Sequence, residues 1–181
     1  MVRSSVMDSE GNIYLSGLFS GLVSLDYKTN ASIITNGFFD AFIVKYDKNF
    51  NKIWHKRVSK SFNSLSFYKM SLDTNDDIII GAALVSDVTV GPFETANDAN
   101  FLINISKDGD FMNLTEILPE SSFISNIVTN SSNQVILCGN FSEIVDIDPT
   151  DGIHELTLGS VLTHSGHQFH SLLQTPFSKG T

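Results

Sequence analysis

The 181-residue chain has a single cysteine, Cys138, so it holds no intrachain disulfide and no Cys-x-x-Cys metal site. Charged residues make up only 17% and the net charge is -9, with the acids scattered and no basic stripe. The phosphate attraction that nucleic-acid binding needs is therefore missing. No apolar run approaches the roughly 20 residues of a membrane helix, and the start, MVRSSVMDSEGN, carries no apolar signal segment. A Met1 lying almost on a first strand fits a fragment of a longer protein as readily as a leaderless one. No window sustains helical apolar spacing. No nucleophile elbow, Walker loop or dinucleotide fingerprint appears either.

What is present is strand and turn. Hydrophobic content is 41%, enough for a packed core. Short β-branched and aromatic runs such as Asn12 to Phe19, Ala41 to Tyr46 and Ile53 to Val58 are bounded by Asp, Asn, Gly and Ser. That is strand composition with tight turns, and the chain reads as all-β.

The runs also repeat. Asp8-Ser-Glu-Gly-Asn12 leads into Ile-Tyr-Leu-Ser-Gly17, Asp73-Thr-Asn-Asp-Asp77 into Ile-Ile-Ile-Gly-Ala82, and Asn130-Ser-Ser-Asn-Gln134 into Val-Ile-Leu-Cys-Gly139, starts that lie 65 and 57 residues apart. The second half recurs as Phe42 to Asn49 and Phe101 to Asp108, with only Phe169 to Leu173 left in the third copy. The reading is three units over 1–60, 61–120 and 121–181, each an antiparallel meander of about four strands, the third lacking its last. A sheet that small must stack on its neighbours, and radial stacking of such sheets is a β-propeller. About three blades do not comfortably close a ring. Either the chain is part of a longer protein or copies associate through open blade edges.

These motifs resemble a bacterial family of β-propeller repeats named for a supposed seven-bladed ring. The matching residues are Asp8, Gly11, Asn12, Tyr14, Gly17, Phe19, Ser20 and Gly21, then Asp40, Phe42, Lys45, Asp47 and Trp54. Val145-Asp-Ile-Asp-Pro149 resembles the acidic loop of the same repeat. The second unit departs most, with Ala82 for Gly17 and Asn113 for Trp54, and Phe50 stands at a turn position where the family has Gly. The resemblance implies a secreted or cell-surface setting and no catalytic residues. It implies a non-catalytic structural or interaction module of an exported bacterial protein, its protein or glycan partner unknown; the charge pattern and the short apolar runs are what speak for no nucleic acid and no membrane span.

Against that reading stand a few candidates for chemistry. Asp146, Asp148 and Asp151, with Pro149 and Gly152, form the best calcium loop, although a strand ending in a Pro/Gly turn explains the same letters. Asp73 to Asp77 opens like a calcium loop but lacks the Gly and Glu in register, so it reads as a tight turn. His164, His167 and His170 recur every third residue, which on a strand does not bring them to one side for zinc. Trp54 and the 14 phenylalanines are expected between blades, the alternative being a sugar-binding face. A propeller-scaffold hydrolase or lyase needs paired carboxylates at the axis, and no motif places them there. Gly17 and Gly139 are expected at a close approach or bulge. Ile13, Leu15, Phe42, Val44 and Tyr46 are expected to pack against neighbouring blades.

Overall fold

The computed structural model describes residues 1–26, 28–29, 32–35, 39–57, 66–84, 87–119, 122–141, 145–146, 155–156 and 168–171. These residues are all-β. Sheet I holds β1 (Val2–Met7), β2 (Ile13–Phe19), β5 (Asp40–Tyr46) and β6 (Lys52–Arg57). Sheet II holds β7 (Ser66–Leu72), β8 (Ile78–Leu84), β11 (Ala99–Ile105) and β12 (Phe111–Pro119). Sheet III holds β13 (Ser122–Thr129), β14 (Val135–Phe141) and β17 (Gln168–Ser171). Each is an antiparallel meander in chain order, and none closes on itself.

A small ribbon interrupts every meander between its second and third strands: β3 (Leu22–Ser24) with β4 (Ser32–Ile34), β9 (Thr89–Val90) with β10 (Phe93–Glu94), and β15 (Val145–Asp146) with β16 (Glu155–Leu156). The same insertion thus recurs at the same place three times.

The hairpin turns are alike for a chemical reason. At Asp8, Asp47, Asp73 and Asn130 the side-chain Oδ1 accepts the backbone N–H groups two and four residues on, at 2.8 to 3.1 Å. At the fifth such turn Ser106 Oγ accepts the N–H of Asp110 at 3.0 Å. In each, the fourth residue takes positive φ: Gly11, Phe50, Asp76, Gly109 and Asn133. Asn and Asp tolerate that conformation; Phe50, at φ 60, is the costly one.

Neighbouring sheets face each other. Alternation along β2 and β5 sends Tyr14, Ala41 and Ile43 to one side, where they meet Ile78, Ile80, Phe101 and Ile103 of sheet II in one buried cluster. The opposite side of sheet II gives Ile79 and Leu102 to a second cluster with Ile127, Val135 and Leu137 of sheet III. Each fully buried Ile or Leu contributes about 1.5–3 kcal/mol, so sheet II, apolar on both sides, is held by both neighbours.

Two expectations change. Phe42 and Val44 do not pack on a neighbouring sheet; with Leu15 and Tyr46 they form a third cluster on the side of sheet I turned away from sheet II, under the ribbon residues Val23 and Ile33. The register puts them there: Leu15 pairs with Val44 and Ile13 with Tyr46, so all five named residues share one face. And because sheets stack face on face, the stack ends in sheet faces rather than in strand edges.

Gly17 and Gly139 sit opposite bulges in the preceding strand. A Cβ there would lie 2.2 Å from the Met1 carbonyl oxygen and 2.1 Å from that of Phe123. Close backbone approach is what both glycines permit.

Candidate functional site

The residues that carry the repeat motif converge in one knot. The Asp8 turn, closed by its own carboxylate, places Oδ2 where it accepts from Asn12 Nδ2 at 2.9 Å and from the Tyr14 hydroxyl at 3.1 Å. Lys45, from the facing strand β5, brings Nζ to 3.4 Å of the same oxygen and 4.8 Å above the Tyr14 ring. It also donates to the Lys107 carbonyl at 3.2 Å, in the turn between β11 and β12 of sheet II. Trp54 Nε1 donates to that carbonyl at 3.1 Å, and its ring lies 6.0 Å from Tyr14 and against the turn glycine Gly109. One sheet's motif therefore grips its neighbour's turn.

The electrostatics are those of an internal clamp. Burial by itself would raise the Asp8 carboxyl, but the Asn12 hydrogen bonds, the Tyr14 hydroxyl and the Lys45 charge outweigh it and leave it below its ordinary 3.8. Burial, then the Asp8 charge beside it, pushes the Tyr14 phenol far up, so it stays a donor. A lysine, a tyrosine and an aspartate in contact are the parts of an acid–base site, but such a site must reach a substrate proton. Tyr14 is fully buried and the Asp8 and Lys45 side chains are 2% and 9% exposed.

A depressed carboxyl stabilises the fold above its unfolded-state value and loses that contribution as pH falls through the lower folded value. Urea midpoints are expected to fall below about pH 4, and less steeply in Asp8→Asn than in the parent. Parallel curves would detach Asp8 from acid sensitivity.

Three hydrogen bonds between two pairs of turns extend the grip. The Ser9 N–H and hydroxyl donate to Asp76 at 3.1 and 2.5 Å, and the Thr74 N–H donates to Asn133 Oδ1 at 2.9 Å. In both cases the positive-φ residue of one sheet's first turn reaches back to the second residue of the preceding sheet's turn.

A recess of about 370 Å³ lies where β1, β7 and β13 converge, lined by Arg3, Ser4, Ser5, Lys69 and Asn126 among others. Among the described residues no carboxylate or histidine lines it, and Arg3, Lys69 and the polar side chains offer positive charge and hydrogen bonds to an anion. The repeat alignment held a signal for it, because Ser4, Lys69 and Asn126 each stand four residues before their turn's first residue.

Of the candidate metal residues, Asp146 lies on β15 at the position paired with Glu155 of β16, while Asp148 and Asp151 lie outside the described residues. His170 is on β17, paired with Cys138 of β14; His164 and His167 lie outside the described residues. Asp73 to Asp77 is a closed turn whose Asp77 carboxylate accepts the Lys107 N–H at 2.9 Å. Among the described residues no group of three or more His, Cys, Asp or Glu is placed to hold a metal ion, and no helix is long and apolar enough to cross a membrane.

Compared with models of known protein families the sequence matches none, and it matches no curated protein either.

Proposed function

We propose that the chain is a non-catalytic structural or interaction module of an exported bacterial protein, built from three β-propeller-type units. The observation that carries this reading is the knot at Asp8, Tyr14, Lys45 and Trp54: its polar atoms are spent on one another and on the neighbouring sheet's backbone. The repeated ribbons and the repeated turn-to-turn bonds support units of one kind set side by side. The exported setting rests on the motif resemblance alone. In such a module the sheets are scaffold and the connecting segments are the contact surface for a protein or glycan. Trp54, with its N–H committed to Lys107, serves the scaffold rather than a sugar-stacking face.

The test is a panel of glycoside and ester substrates offered to the folded chain, with Lys45→Met beside it. No turnover is expected. Turnover that Lys45→Met abolishes, with unchanged far-ultraviolet circular dichroism, would overturn the reading.

A calcium-binding module is the second reading, and one observation favours it. The ribbon of sheet III sets Asp146 and Glu155 at directly paired positions, where like charges disfavour pairing unless something offsets them. The segment between them contains Asp148 and Asp151. Calorimetric heat with calcium that Asp146→Asn and Asp151→Asn remove would establish it; no heat on folded protein would end it.

A further inference from the structure

The three sheets have equivalent faces, and equivalent positions can be compared for cover. Call the face toward the preceding sheet the front and the other the back. On the front of sheet II, Met70, Ile78 and Ile80 are 4%, 0% and 0% exposed beneath sheet I. On the front of sheet III, Ile127, Val135 and Leu137 are 3%, 1% and 2% exposed beneath sheet II. The corresponding positions of sheet I are Ser5, Ile13 and Leu15, of which Ser5 is exposed and the other two half-buried, and beside them Met7 is 67% exposed. Among the described residues its ribbon covers that face at Phe19, Phe42 and Val44, with the half-buried Leu15 and Tyr46 at the margin of the cluster.

The backs give the complementary result. Tyr14 and Ser16 of sheet I are 0% and 1% exposed, and Ile79 of sheet II is 4%. Their counterparts on sheet III, Ile136 and Cys138, are half-buried, and Val128 beside them is 46% exposed where Val6 of sheet I is packed against the first cluster.

We propose that two copies of this chain join head to tail, the front of sheet I in one seated on the back of sheet III in the other. The proposal rests on the repeat-unit reading above, and it adds the partner. Both uncovered faces belong to the same chain, and each is of the kind that the two internal junctions already match. The junction continues an existing interface instead of requiring a new one. Being heterologous, it closes into a ring or runs on as a chain of copies. It differs from the internal junctions in one bond: Gly11 stands at the turn position from which Asp76 and Asn133 reach back, so no side chain makes that link.

The experiment is light scattering on the full chain over rising concentration, with Met7→Lys and Val128→Lys, both at exposed sites. The parent is expected at no less than twice 19.9 kDa. Burying a lysine in the junction should weaken association at least about tenfold, leaving each variant at 19.9 kDa. An equimolar mixture of the two retains one good front and one good back, and is expected to form a dimer and nothing larger. A parent that stays monomeric, or variants that mixing does not rescue, would overturn the proposal. Quenching of Trp54, the sole tryptophan at the junction of sheets I and II, separates the two failures. A shielded Trp54 in a monomer sinks the association and leaves the stacked units standing, whereas a freely quenched Trp54 sinks the stacking itself.

Discussion

Tyr14→Ala is expected to lower the unfolding free energy by about 3–5 kcal/mol. The ring is fully buried between sheets I and II, beside Trp54, so its removal opens a cavity that two sheets would have to close together. The hydroxyl loss adds to this, since the buried Asp8 carboxylate would be left with one fewer partner. Tyr14→Phe isolates that second part, with an expected cost of about 1 kcal/mol. Urea unfolding followed by circular dichroism reads both. If Tyr14→Ala cost no more than Tyr14→Phe, the knot would not be what joins the sheets.

Gly139→Ala should cost about 3 kcal/mol or more, a large effect for one methyl. The added carbon would stand 2.1 Å from the Phe123 carbonyl oxygen, an internal backbone atom that can move only by breaking the β13–β14 pairing. Gly17→Ala meets a similar distance, 2.2 Å from the Met1 carbonyl oxygen, which accepts the Leu18 N–H. Its expected cost is of the same order. Sheet II has Ala82 at the same repeat position, paired with Phe67 beside an equivalent irregularity in β7, and nothing in the structure explains why a Cβ is accepted there. Costs near zero at Gly17 and Gly139 would show that backbone approach is not what selects glycine.

Much of this architecture is legible in the amino-acid order because its causes are local. The Asp and Asn residues that open the turns close them with their own side chains, and the mostly apolar runs Phe42–Tyr46 and Phe101–Ile105 mark β5 and β11 as strands buried on both faces. Gly17 and Gly139 stand out because the surrounding letters repeat. What is hidden depends on partners far apart. The bond from Trp54 to the Lys107 carbonyl spans 53 residues, and nothing near Trp54 announces it. The face on which Phe42 and Val44 lie follows from cross-strand register, which composition does not encode. The ribbons escape notice because strands of two or three residues are too short to show a period. Of the candidate metal residues, the letters supplied Asp146 but not Glu155, because the pairing that sets the two acids opposite each other is a product of the folded hairpin.

The self-closing turns bear on how the chain is built in time. Each turn needs only five neighbouring residues, and each sheet packs on the sheet made just before it. Hairpins of such short reach form within about microseconds, far faster than a ribosome adds residues at about 5–20 per second. Folding during synthesis can therefore follow the order of the sequence, with a finished sheet waiting for the next. During that wait Tyr14, Ala41 and Ile43 face solvent until Ile78 and Ile80 arrive. The adhesive surface of a growing chain is thus always the back of its newest sheet, and a ribosome stalled near residue 60 would leave that surface bare.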